Sequence, residues 1–381
     1  MKDGDRTSRS LRGRLVLADR VLPGVVSVED GRIAAVEPDD RGATGPYIAP
    51  GFVDVHVHGW GGHSSMGGRA ALEGMARALL RRGVTSFLPT AWSAPIDRLV
   101  AFAEAAREFV ANPSGDAAEP IGFNLEGPFL ATARRGAHDP EHLRNPADVP
   151  AGDIEALTEG LSLITIAPDL PGAMDLIELA VARGARVSLG HSAATVEQAR
   201  AGYRAGATST THLFNAMTGV HHHHPGLAVA ALGNDDAYVE LIADGHHVDA
   251  SLHPVITRTK PRERLMLVSD GVSIAGSGPG RAQVDGLDLE IEPDGRILIA
   301  GTRTLAGGGT PLGVAIRNMV RWGSSLPDAV AAASANPAAM LGRADRGRIE
   351  VGLRADLVEL DDELAVTRVM RAGEWFEASQ P

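Results

Sequence analysis

The sequence predicts an α/β protein built around a (β/α)8 barrel, also called a TIM barrel. Eight short apolar runs recur through the middle of the chain, at 52–56, 84–89, 121–125, 163–167, 186–190, 207–212, 237–243 and 265–269. Alanine-rich stretches with helical character separate most of them, for example 69–82, 97–110, 171–183 and 195–204. Repeated strand-then-helix patterning is typical of parallel strands joined by crossover helices, and eight units in about 300 residues match this barrel. A doubly wound open sheet is the alternative, although no Gly-x-Gly-x-x-Gly motif follows an early strand.

Both ends of the chain are predicted to form short β-strands. In residues 1–50, alternating patterns lie at 11–17, 25–28 and 33–36, with turn signals between them. In residues 344–381, similar patterns lie at 347–350, 356–360 and 367–372. We predict one small β domain made from both termini, beside a barrel that occupies residues 51–343. Two independent caps are the alternative.

The pattern changes after the eighth apolar run. Several glycines and an Asp294-Gly295 turn signal in residues 273–304 indicate an inserted β-hairpin or flap. The glycine-rich stretch that follows, at 305–310, leads into a predicted helix at 311–322. Its glycines either let the backbone approach a ligand closely or form a flexible connection.

The composition argues against several classes of function. Hydrophobic residues make up 44% of the 381 residues and charged residues 22%, which is ordinary for a globular protein, and no apolar run has membrane-spanning length. The net charge of −12, without a basic stripe, argues against nucleic acid as a partner. The lack of cysteine excludes disulfides and thiolate ligands. Together with a charged segment at 1–14 that lacks an apolar signal core, it predicts a cytoplasmic location and no membrane partner.

The stretch 51–59 contains the first chemical signal. His56 and His58 alternate with valines in a predicted strand, so both imidazoles lie on the same face. Neutral imidazole is a ligand that suits zinc, iron and related metals. Two polar residues on a half-buried strand would show the same pattern, so a metal site requires further ligands downstream.

Further ligand-type residues follow the other predicted strands. In a (β/α)8 barrel, the chemistry takes place at the C-terminal ends of the strands. The metal-ligand or acid–base residues at these positions are His56, His58, Glu126, His191, His212, Asp244, His247 and Asp270. One such residue at a strand end is more often a turn or cap residue, but their joint placement on one rim predicts an active site there.

Several longer strings carry a family resemblance. They are Pro50-Gly-Phe-Val-Asp-Val-His-Val-His-Gly59, Asn124-Leu-Glu-Gly-Pro-Phe129, Gly136-Ala-His138, Gly190-His-Ser192, Thr211-His-Leu-Phe-Asn-Ala-Met217, Ile242-Ala-Asp-Gly-His-His-Val248, Ser269-Asp-Gly271, Leu305-Ala-Gly307 and Asn336-Pro337. In these strings the chain resembles the N-acetylglucosamine-6-phosphate deacetylases of the amidohydrolase superfamily. The resemblance implies a metal-dependent barrel, a small β-sandwich formed by both termini, a homodimer and an amino-sugar substrate.

The resemblance also implies roles for individual residues. Glu126, His191 and His212 match the main metal ligands, and His56 and His58 would hold a second site, with Glu126 positioned to bridge. This implies a divalent metal, zinc or iron, with one or two ions per subunit. Asp270 matches the catalytic acid/base, and His247 matches the histidine that contacts the substrate and polarises its carbonyl. The implied substrate-binding residues are Ala137, His138, Asn215, Ala216, His223, Asp244, Gly245, His246, Leu305, Ala306 and Gly307.

One departure from the family pattern concerns the phosphate. Many relatives carry an arginine before Pro-Gly in the segment after the His-Leu-Phe-Asn-Ala-Met string, whereas this chain has His223-His224-Pro225-Gly226. Arginine is always charged and grips phosphate with a rigid fork, but histidine, with an unperturbed pKa of about 6.5, is mostly neutral near pH 7. Three alternatives follow: phosphate affinity is weaker, the substrate lacks a 6-phosphate, or His222, His223 and backbone amides hold the phosphate together.

The expected reaction is hydrolysis of N-acetylglucosamine 6-phosphate to glucosamine 6-phosphate and acetate. The alternatives are a different or unphosphorylated N-acetylhexosamine, another amidohydrolase such as a deaminase or cyclic-amide hydrolase, and a non-catalytic scaffold. Many of the other amidohydrolases place a lysine between the metals, where this chain has Glu126. A metal-storage role for the histidine run at 221–224 is a further alternative, although such a run also binds metal adventitiously.

Overall fold

The computed structural model describes residues 8–379. The strands before and at the start of the barrel are β1 (Ser8–Val16), β2 (Val21–Glu29), β3 (Arg32–Pro38), β4 (Tyr47–Pro50), β5 (Phe52–Val57), β6 (Gly59–Trp60) and β7 (His63–Ser64). The strands through the middle of the chain are β8 (Val84–Trp92), β9 (Glu119–Pro120), β10 (Asn124–Glu126), β11 (Leu163–Ile166), β12 (Arg186–Leu189), β13 (Ser209–Thr210), β14 (Tyr238–Leu241) and β15 (Leu265–Leu267). The last six strands are β16 (Gly280–Val284), β17 (Leu287–Ile291), β18 (Ile297–Ile299), β19 (Leu357–Leu360), β20 (Val366–Arg371) and β21 (Glu374–Glu377).

The α-helices lie mainly between the barrel strands. They are α1 (Gly68–Leu80), α2 (Ile96–Ala111), α3 (Ala151–Thr158), α4 (Ala173–Ala182), α5 (Val196–Arg204), α6 (Leu227–Leu232), α7 (His253–Thr259), α8 (Leu312–Arg321), α9 (Leu326–Ala332) and α10 (Ala335–Met340). Each of the four helices expected after the earlier apolar runs is present within a few residues of its predicted bounds. Within residues 8–379, none of the helices is long and apolar enough to cross a membrane.

Eight parallel strands form the predicted barrel. Their order is β5, β8, β10, β11, β12, β13, β14 and β15, so each of the eight apolar runs supplies one strand. Backbone hydrogen bonds bring the last strand back to the first, because the Asp270 amide donates to the His56 carbonyl at 2.9 Å and the His58 amide donates to the Gly271 carbonyl at 2.7 Å. The barrel prediction is confirmed, and the open doubly wound sheet is excluded. The closure also brings the end of the barrel against the His-x-His motif.

Both termini build one sheet of seven strands, in the order β21, β20, β19, β4, β1, β2 and β3. The two ends of this sheet fold toward each other, since the Gly31 turn lies against the backbone of Ala372 and the Arg9 guanidinium donates to the Gly373 carbonyl at 2.5 Å. Apolar side chains from both termini share one core between the halves, including Leu15, Val26, Leu357 and Met370. The shared β domain is therefore confirmed, and independent caps are excluded.

Some details of the terminal domain differ from the prediction or lie outside the described residues. The segment 347–350 is not a strand; it is a bend followed by irregular chain, and Gly347 adopts a left-handed φ of +85° against the backbone of Ser334 and Ala335. Conversely, β21 was not predicted. Residues 1–7 and 380–381, the ends of the predicted domain ranges, lie outside the described residues, and the boundaries at 50 and 343 remain a prediction.

The insertion after the barrel is a three-stranded antiparallel sheet, β16–β17–β18, rather than a single hairpin. Val284, Leu289 and Ile297 bury its inner face against the barrel core. We call residues 273–304 the flap. It leads directly into the glycine-rich stretch at 305–309, so it sits beside the C-terminal rim of the barrel.

Candidate active site

The end of β5 places two histidines in the interior. His56 is 0% exposed and His58 is 4% exposed, and their Nε2 atoms lie 3.2 Å apart. The buried carboxylate of Asp54 stands behind them, where its Oδ1 accepts from the amides of His56 and Ser269, both at 3.3 Å. Burial raises the pKa of Asp54 to about 6. Asp54 therefore links β5, the first strand of the barrel, to the segment around Ser269 that closes the barrel.

Glu126, at the end of β10, is the centre of the site. Its Oε1 lies 2.8 Å from His212 Nε2 and 3.1 Å from His191 Nε2. Its Oε2 lies 3.1 Å from His58 Nε2, and its Oε1 lies 3.4 Å from His56 Nε2. One carboxylate thus contacts four histidines from the ends of three strands, β5, β12 and β13.

These residues form two ligand groups that share Glu126. One group contains Glu126, His191 and His212; the other contains His56, His58, Glu126 and Asp270. Within each group, the ligand atoms lie within 4.8 Å of one another, and all the residues are buried. Imidazole nitrogens with carboxylate oxygens are the ligand set of catalytic zinc and of related transition metals.

Hydrogen bonds outside the cluster orient the rings toward its centre. His56 Nδ1 pairs with Glu240 Oε2 at 3.0 Å, His58 Nδ1 with the Thr90 carbonyl at 3.2 Å, and His191 Nδ1 with the Arg134 carbonyl at 2.9 Å. Because a carbonyl or carboxylate only accepts, each Nδ1 carries the hydrogen, and in its neutral form each ring directs its Nε2 lone pair inward.

The inward-facing nitrogens are crowded. His191 Nε2 and His212 Nε2 lie 3.0 Å apart. Two imidazole nitrogens this close, beside a carboxylate, require a proton or a metal ion between them. The residues therefore fit a divalent metal on the chemistry of their donors as well as on their spacing.

The charge state of the cluster suits ligation. Burial acts to raise the pKa of Glu126, but electrostatic attraction to His56 and hydrogen bonds from the surrounding histidines outweigh it, so the pKa lies well below its ordinary value. Burial lowers the pKa of His191 to about 4, so this ring is neutral near pH 7. An ionised carboxylate and a neutral imidazole are the forms that bind metal.

Asp270 lies at the edge of the cluster. Its Oδ1 is 3.3 Å from His58 Nε2 and 3.5 Å from His56 Nε2. Burial acts to raise the pKa of Asp270, but the hydrogen bond from His58 and the charge of His56 lower it overall, so the carboxylate is in its basic form. A base at this position reaches any water held by the cluster.

Three site residues have backbone conformations that side chains seldom adopt. His191, His212 and Asp270 have φ values of +45°, +27° and +49°. Such conformations cost about 1–3 kcal/mol each and persist only where the surroundings enforce them. At Asp270 the surroundings are explicit, because its amide donates to His56 and its carbonyl accepts from the Gly308 amide at 2.7 Å.

His247 stands across the cavity with its own carboxylate partner. Its Nδ1 pairs with Asp244 Oδ2 at 2.7 Å, and Asp244 Oδ1 accepts from the amides of His246 and His247 at 2.8 and 2.9 Å. Burial acts to raise the pKa of Asp244, but the hydrogen bond from His247 lowers it overall. Asp244 therefore fixes the orientation of the His247 ring and leaves its Nε2 free.

The cluster opens into a cavity of about 280 Å³. Of the residues predicted to bind substrate, seven line it: Ala137, His138, Asn215, Ala216, Leu305, Ala306 and Gly307. His247 and Asp270 also line it. His138 contacts the cluster directly, with Nε2 at 3.2 Å from Glu126 Oε2, and its Nδ1 lies 2.9 Å from Ser93 Oγ.

Four predicted substrate-binding residues do not line this cavity, namely His223, Asp244, Gly245 and His246. His223 is exposed within the histidine run, where the rings of His222 and His223 lie 3.9 Å apart. His246 is directed to the flap, with Nε2 at 3.3 Å from the Asp294 carbonyl. Their assignment to the substrate stays a prediction.

The glycine-rich stretch at 305–309 is packed against the site. A Cβ on Gly308 would lie 2.0 Å from the Ser269 carbonyl oxygen, and a Cβ on Gly307 would lie 2.7 Å from the Asp270 carbonyl oxygen. Gly307 also has a φ of +80°. Of the two interpretations of these glycines, close backbone approach is therefore the one that the structure supports.

Sequence reasoning missed several residues around the site. Trp92, at the end of β8, stacks on His58 with ring centroids 5.2 Å apart, and Arg303 and Thr304 line the cavity from the flap. Glu240 is 0% exposed and holds both His56 and the His212 amide. A charged residue inside an otherwise apolar strand was the signal that could have identified Glu240 and Asp54.

Comparisons with known proteins agree with this geometry. The sequence matches the amidohydrolase family over residues 47–376. It is 35% identical to the N-acetylgalactosamine-6-phosphate deacetylase of Escherichia coli O157:H7, over 91% of this chain and 93% of that protein. It is 36% identical to the N-acetylglucosamine-6-phosphate deacetylase of Rattus norvegicus, over 96% of this chain and 93% of that protein.

A solved structure gives the same result. A mutant N-acetyl-D-glucosamine-6-phosphate deacetylase from Mycobacterium smegmatis, in complex with N-acetyl-D-glucosamine-6-phosphate, superposes with a TM-score of 0.88 at 35% identity, over 97% of this chain and 99% of that chain. These matches confirm the resemblance found in the sequence. The chain belongs to the amidohydrolase family, in the group that contains these deacetylases.

Proposed function

We propose that this protein hydrolyses the N-acetyl group of an N-acetylhexosamine 6-phosphate, with N-acetylglucosamine 6-phosphate as the first candidate. The observation that carries the proposal is the convergence of Glu126, four histidines and Asp270 at the floor of one cavity. The similarity to deacetylases over almost the whole chain supports it. A non-catalytic scaffold would not need to maintain so many buried ionisable groups in one place, because each costs free energy to bury.

The residues that would hold a metal are Glu126, His191 and His212, with His56 and His58 completing a second group. When bound, a divalent ion supplies Lewis acidity, which acidifies a water molecule and polarises a carbonyl oxygen. Two ions are compatible with the two ligand groups that share Glu126, and one ion requires only the first group. Zinc and iron both accept this set of nitrogen and oxygen ligands.

Asp270 is the proposed acid/base. Its carboxylate, ionised and 3.3 Å from His58 Nε2, takes a proton from the water that attacks the acetyl carbonyl. It then returns that proton to the sugar nitrogen as the C–N bond breaks, so one residue acts first as base and then as acid. Acetate and the free amino sugar are the products.

His247 is the proposed partner of the acetyl oxygen. Asp244 accepts the Nδ1 hydrogen, so a neutral His247 ring presents Nε2 without a hydrogen and a protonated ring presents Nε2–H. The ring that carries a hydrogen on Nε2 is the form that can donate to an oxyanion. The backbone around Asn215, Ala216 and residues 305–307 is proposed to position the sugar.

We further propose a homodimer in the cytoplasm. The homodimer rests on the family resemblance, and the cytoplasmic location rests on the lack of cysteine in the sequence. Light scattering of the purified protein tests the first part: a mass of about twice 39.7 kDa supports the dimer, and a monomer contradicts it.

The sugar itself is the open part of the proposal, because relatives of nearly equal identity act on two different sugars by their names. The test is a kcat/KM panel over N-acetyl-glucosamine, -galactosamine and -mannosamine, each with and without 6-phosphate, with acetate release as the readout. We expect N-acetylglucosamine 6-phosphate to have the highest value. Faster turnover of unphosphorylated sugars would show that the substrate is an N-acetylhexosamine without a 6-phosphate. A metal-loaded protein that releases no acetate from any of the six would indicate another amidohydrolase reaction.

A further inference from the structure

We propose that Arg303, on the flap, binds the phosphate group of the substrate and thereby sets the preference of the site for phosphorylated sugars. This inference rests on the proposed function, because it assigns one end of that substrate. A sugar phosphate carries close to two negative charges at neutral pH, so a cationic side chain in reach of the cavity would favour it over the unphosphorylated sugar.

The charges that line the cavity leave Arg303 as the candidate. Among the lining residues, Arg303 is the single arginine, and no lysine is present among them. The carboxylates of Glu126 and Asp270 lie at the floor, where they repel a second anion. Arg303 lies on the exposed side. The charge pattern therefore orients the substrate, with its acetamido group at the floor and its phosphate toward the flap.

The guanidinium of Arg303 is free to bind a ligand. It makes no hydrogen bond or ion pair with any other residue in the described range 8–379. The other two arginines of the flap are both paired, Arg281 with Glu290 at 3.0 Å and Arg296 with Asp294 at 2.8 Å. Of the three flap arginines, the one that lines the cavity is the one without a carboxylate partner.

The backbone that carries Arg303 is fixed relative to the chemistry. Arg303 lies in a closed turn, in which the Ile299 amide donates to the Thr304 carbonyl at 3.0 Å and the Ala306 amide donates to the Ile297 carbonyl at 2.9 Å. Five residues farther along, the Gly308 amide donates to the Asp270 carbonyl. A phosphate held by Arg303 would thus be held at a defined distance from the catalytic carboxylate.

Arginine chemistry matches this role. The guanidinium stays charged at any working pH and can make two parallel hydrogen bonds to phosphate oxygens. A lysine at the same position would keep the charge but lose the fork. This difference gives the test a graded outcome, since a structural role of the side chain would not follow charge in this way.

The experiment measures kcat/KM for N-acetylglucosamine 6-phosphate and for N-acetylglucosamine in wild type, Arg303→Gln and Arg303→Lys. We expect the ratio of the phosphorylated to the unphosphorylated value to fall about 10- to 100-fold in Arg303→Gln, mainly through KM, as for the loss of a charge-assisted hydrogen bond. Arg303→Lys should recover part of the ratio. Arg281→Gln is the matched control, on the same flap, and should keep the wild-type ratio.

The outcomes separate the two proposals. An active wild type whose ratio is unchanged in Arg303→Gln would overturn the role of Arg303 alone, and so would an equal loss for both sugars. A wild type that releases acetate from neither sugar would overturn the proposed function as well. A fall in the ratio caused by Arg134→Gln but not by Arg303→Gln would assign the phosphate to the neighbouring loop and contradict the inference.

Discussion

At the scale of single residues, the proposed mechanism requires one carboxylate to act as a base and another to bind metal. Glu126 contacts five histidines, His138 among them, whereas Asp270 reaches only His56 and His58 from the edge of the cluster. Both carboxylates are ionised, but Glu126 lies at the centre of the histidine nitrogens and Asp270 lies at their edge. Position within the cluster, rather than residue type, separates their proposed roles.

The variant Asp270→Asn tests that separation. An amide cannot take a proton from water at neutral pH, so we expect kcat for acetate release to fall by about 10²- to 10⁴-fold, the range for loss of a general base. Bound metal, measured by mass spectrometry of the purified protein, should stay at the wild-type level because Glu126, His191 and His212 are intact. Asp249→Asn, an exposed aspartate that caps a turn with its Oδ1 at 2.8 Å from the Ser251 amide, is the control. Near-normal kcat in Asp270→Asn would remove this residue from the mechanism.

At the scale of elements, the site residues lie at strand ends and in short loops, and the barrel strands fix the positions of these loops. The stretch at 305–309 matters because its backbone, not its side chains, touches the segment around Asp270. The Ser269 carbonyl oxygen lies so close to Gly308 that it leaves no room for a Cβ. The Gly308 amide donates to the Asp270 carbonyl. Any side chain at this position must push the loop away from the catalytic carboxylate.

Gly308→Ala is therefore expected to lower kcat/KM by about 10²-fold, since a displacement near 1 Å at a catalytic group has an effect of this order. The control is Gly278→Ala, on the neighbouring flap, where an added Cβ meets no atom within 4 Å. Steady-state kinetics of both variants provide the measurement. If Gly308→Ala were as active as Gly278→Ala, the loop would not be positioning Asp270.

The elements also show how far sequence reasoning extends. The eight barrel strands were predictable because a buried strand in a barrel is a short apolar run, and the ligands were predictable because the barrel rim is made of strand ends. Glu240 and Asp54 were missed because a carboxylate inside an apolar run has no partner visible in the sequence. Arg303 was missed because only the hairpin register of β17 and β18 brings the turn at 299–304 to the cavity.

At the scale of the whole molecule, one end of the barrel carries the site and the other end contacts the terminal sheet. The C-terminal end of β8 carries Trp92 into the cavity, while Ser86, near its start, receives a hydrogen bond from Arg346 Nη1 at 2.7 Å. Arg346 is 5% exposed and also lies 3.4 Å from Glu119 Oε2 and 2.9 Å from Asp345 Oδ2. This network joins the N-terminal face of the barrel to the chain that enters the terminal sheet.

Removing Arg346 should therefore lower stability without changing the chemistry. We expect Arg346→Ala to reduce the free energy of unfolding by about 2 kcal/mol, because it leaves the buried Ser86 hydroxyl without its donor and removes a cation from Glu119 and Asp345. Arg348→Ala is the matched control; its pair with Glu350 is exposed, and such pairs contribute about 0–1 kcal/mol. Denaturant unfolding gives the comparison, and kcat of the folded Arg346→Ala protein should equal that of wild type. Equal stability of the two variants would show that the network does not hold the domains together.

The measurement that tests the account most directly is metal content and acetate release in the same samples of wild type and Glu126→Gln. Wild type, depleted of metal with a chelator and reloaded with Zn²⁺ or Fe²⁺, should release acetate in proportion to the metal bound per chain. Glu126→Gln should bind little metal and show almost no activity, because the shared carboxylate of both ligand groups is gone. Full acetate release from metal-depleted wild type, or from Glu126→Gln, would contradict the central claim.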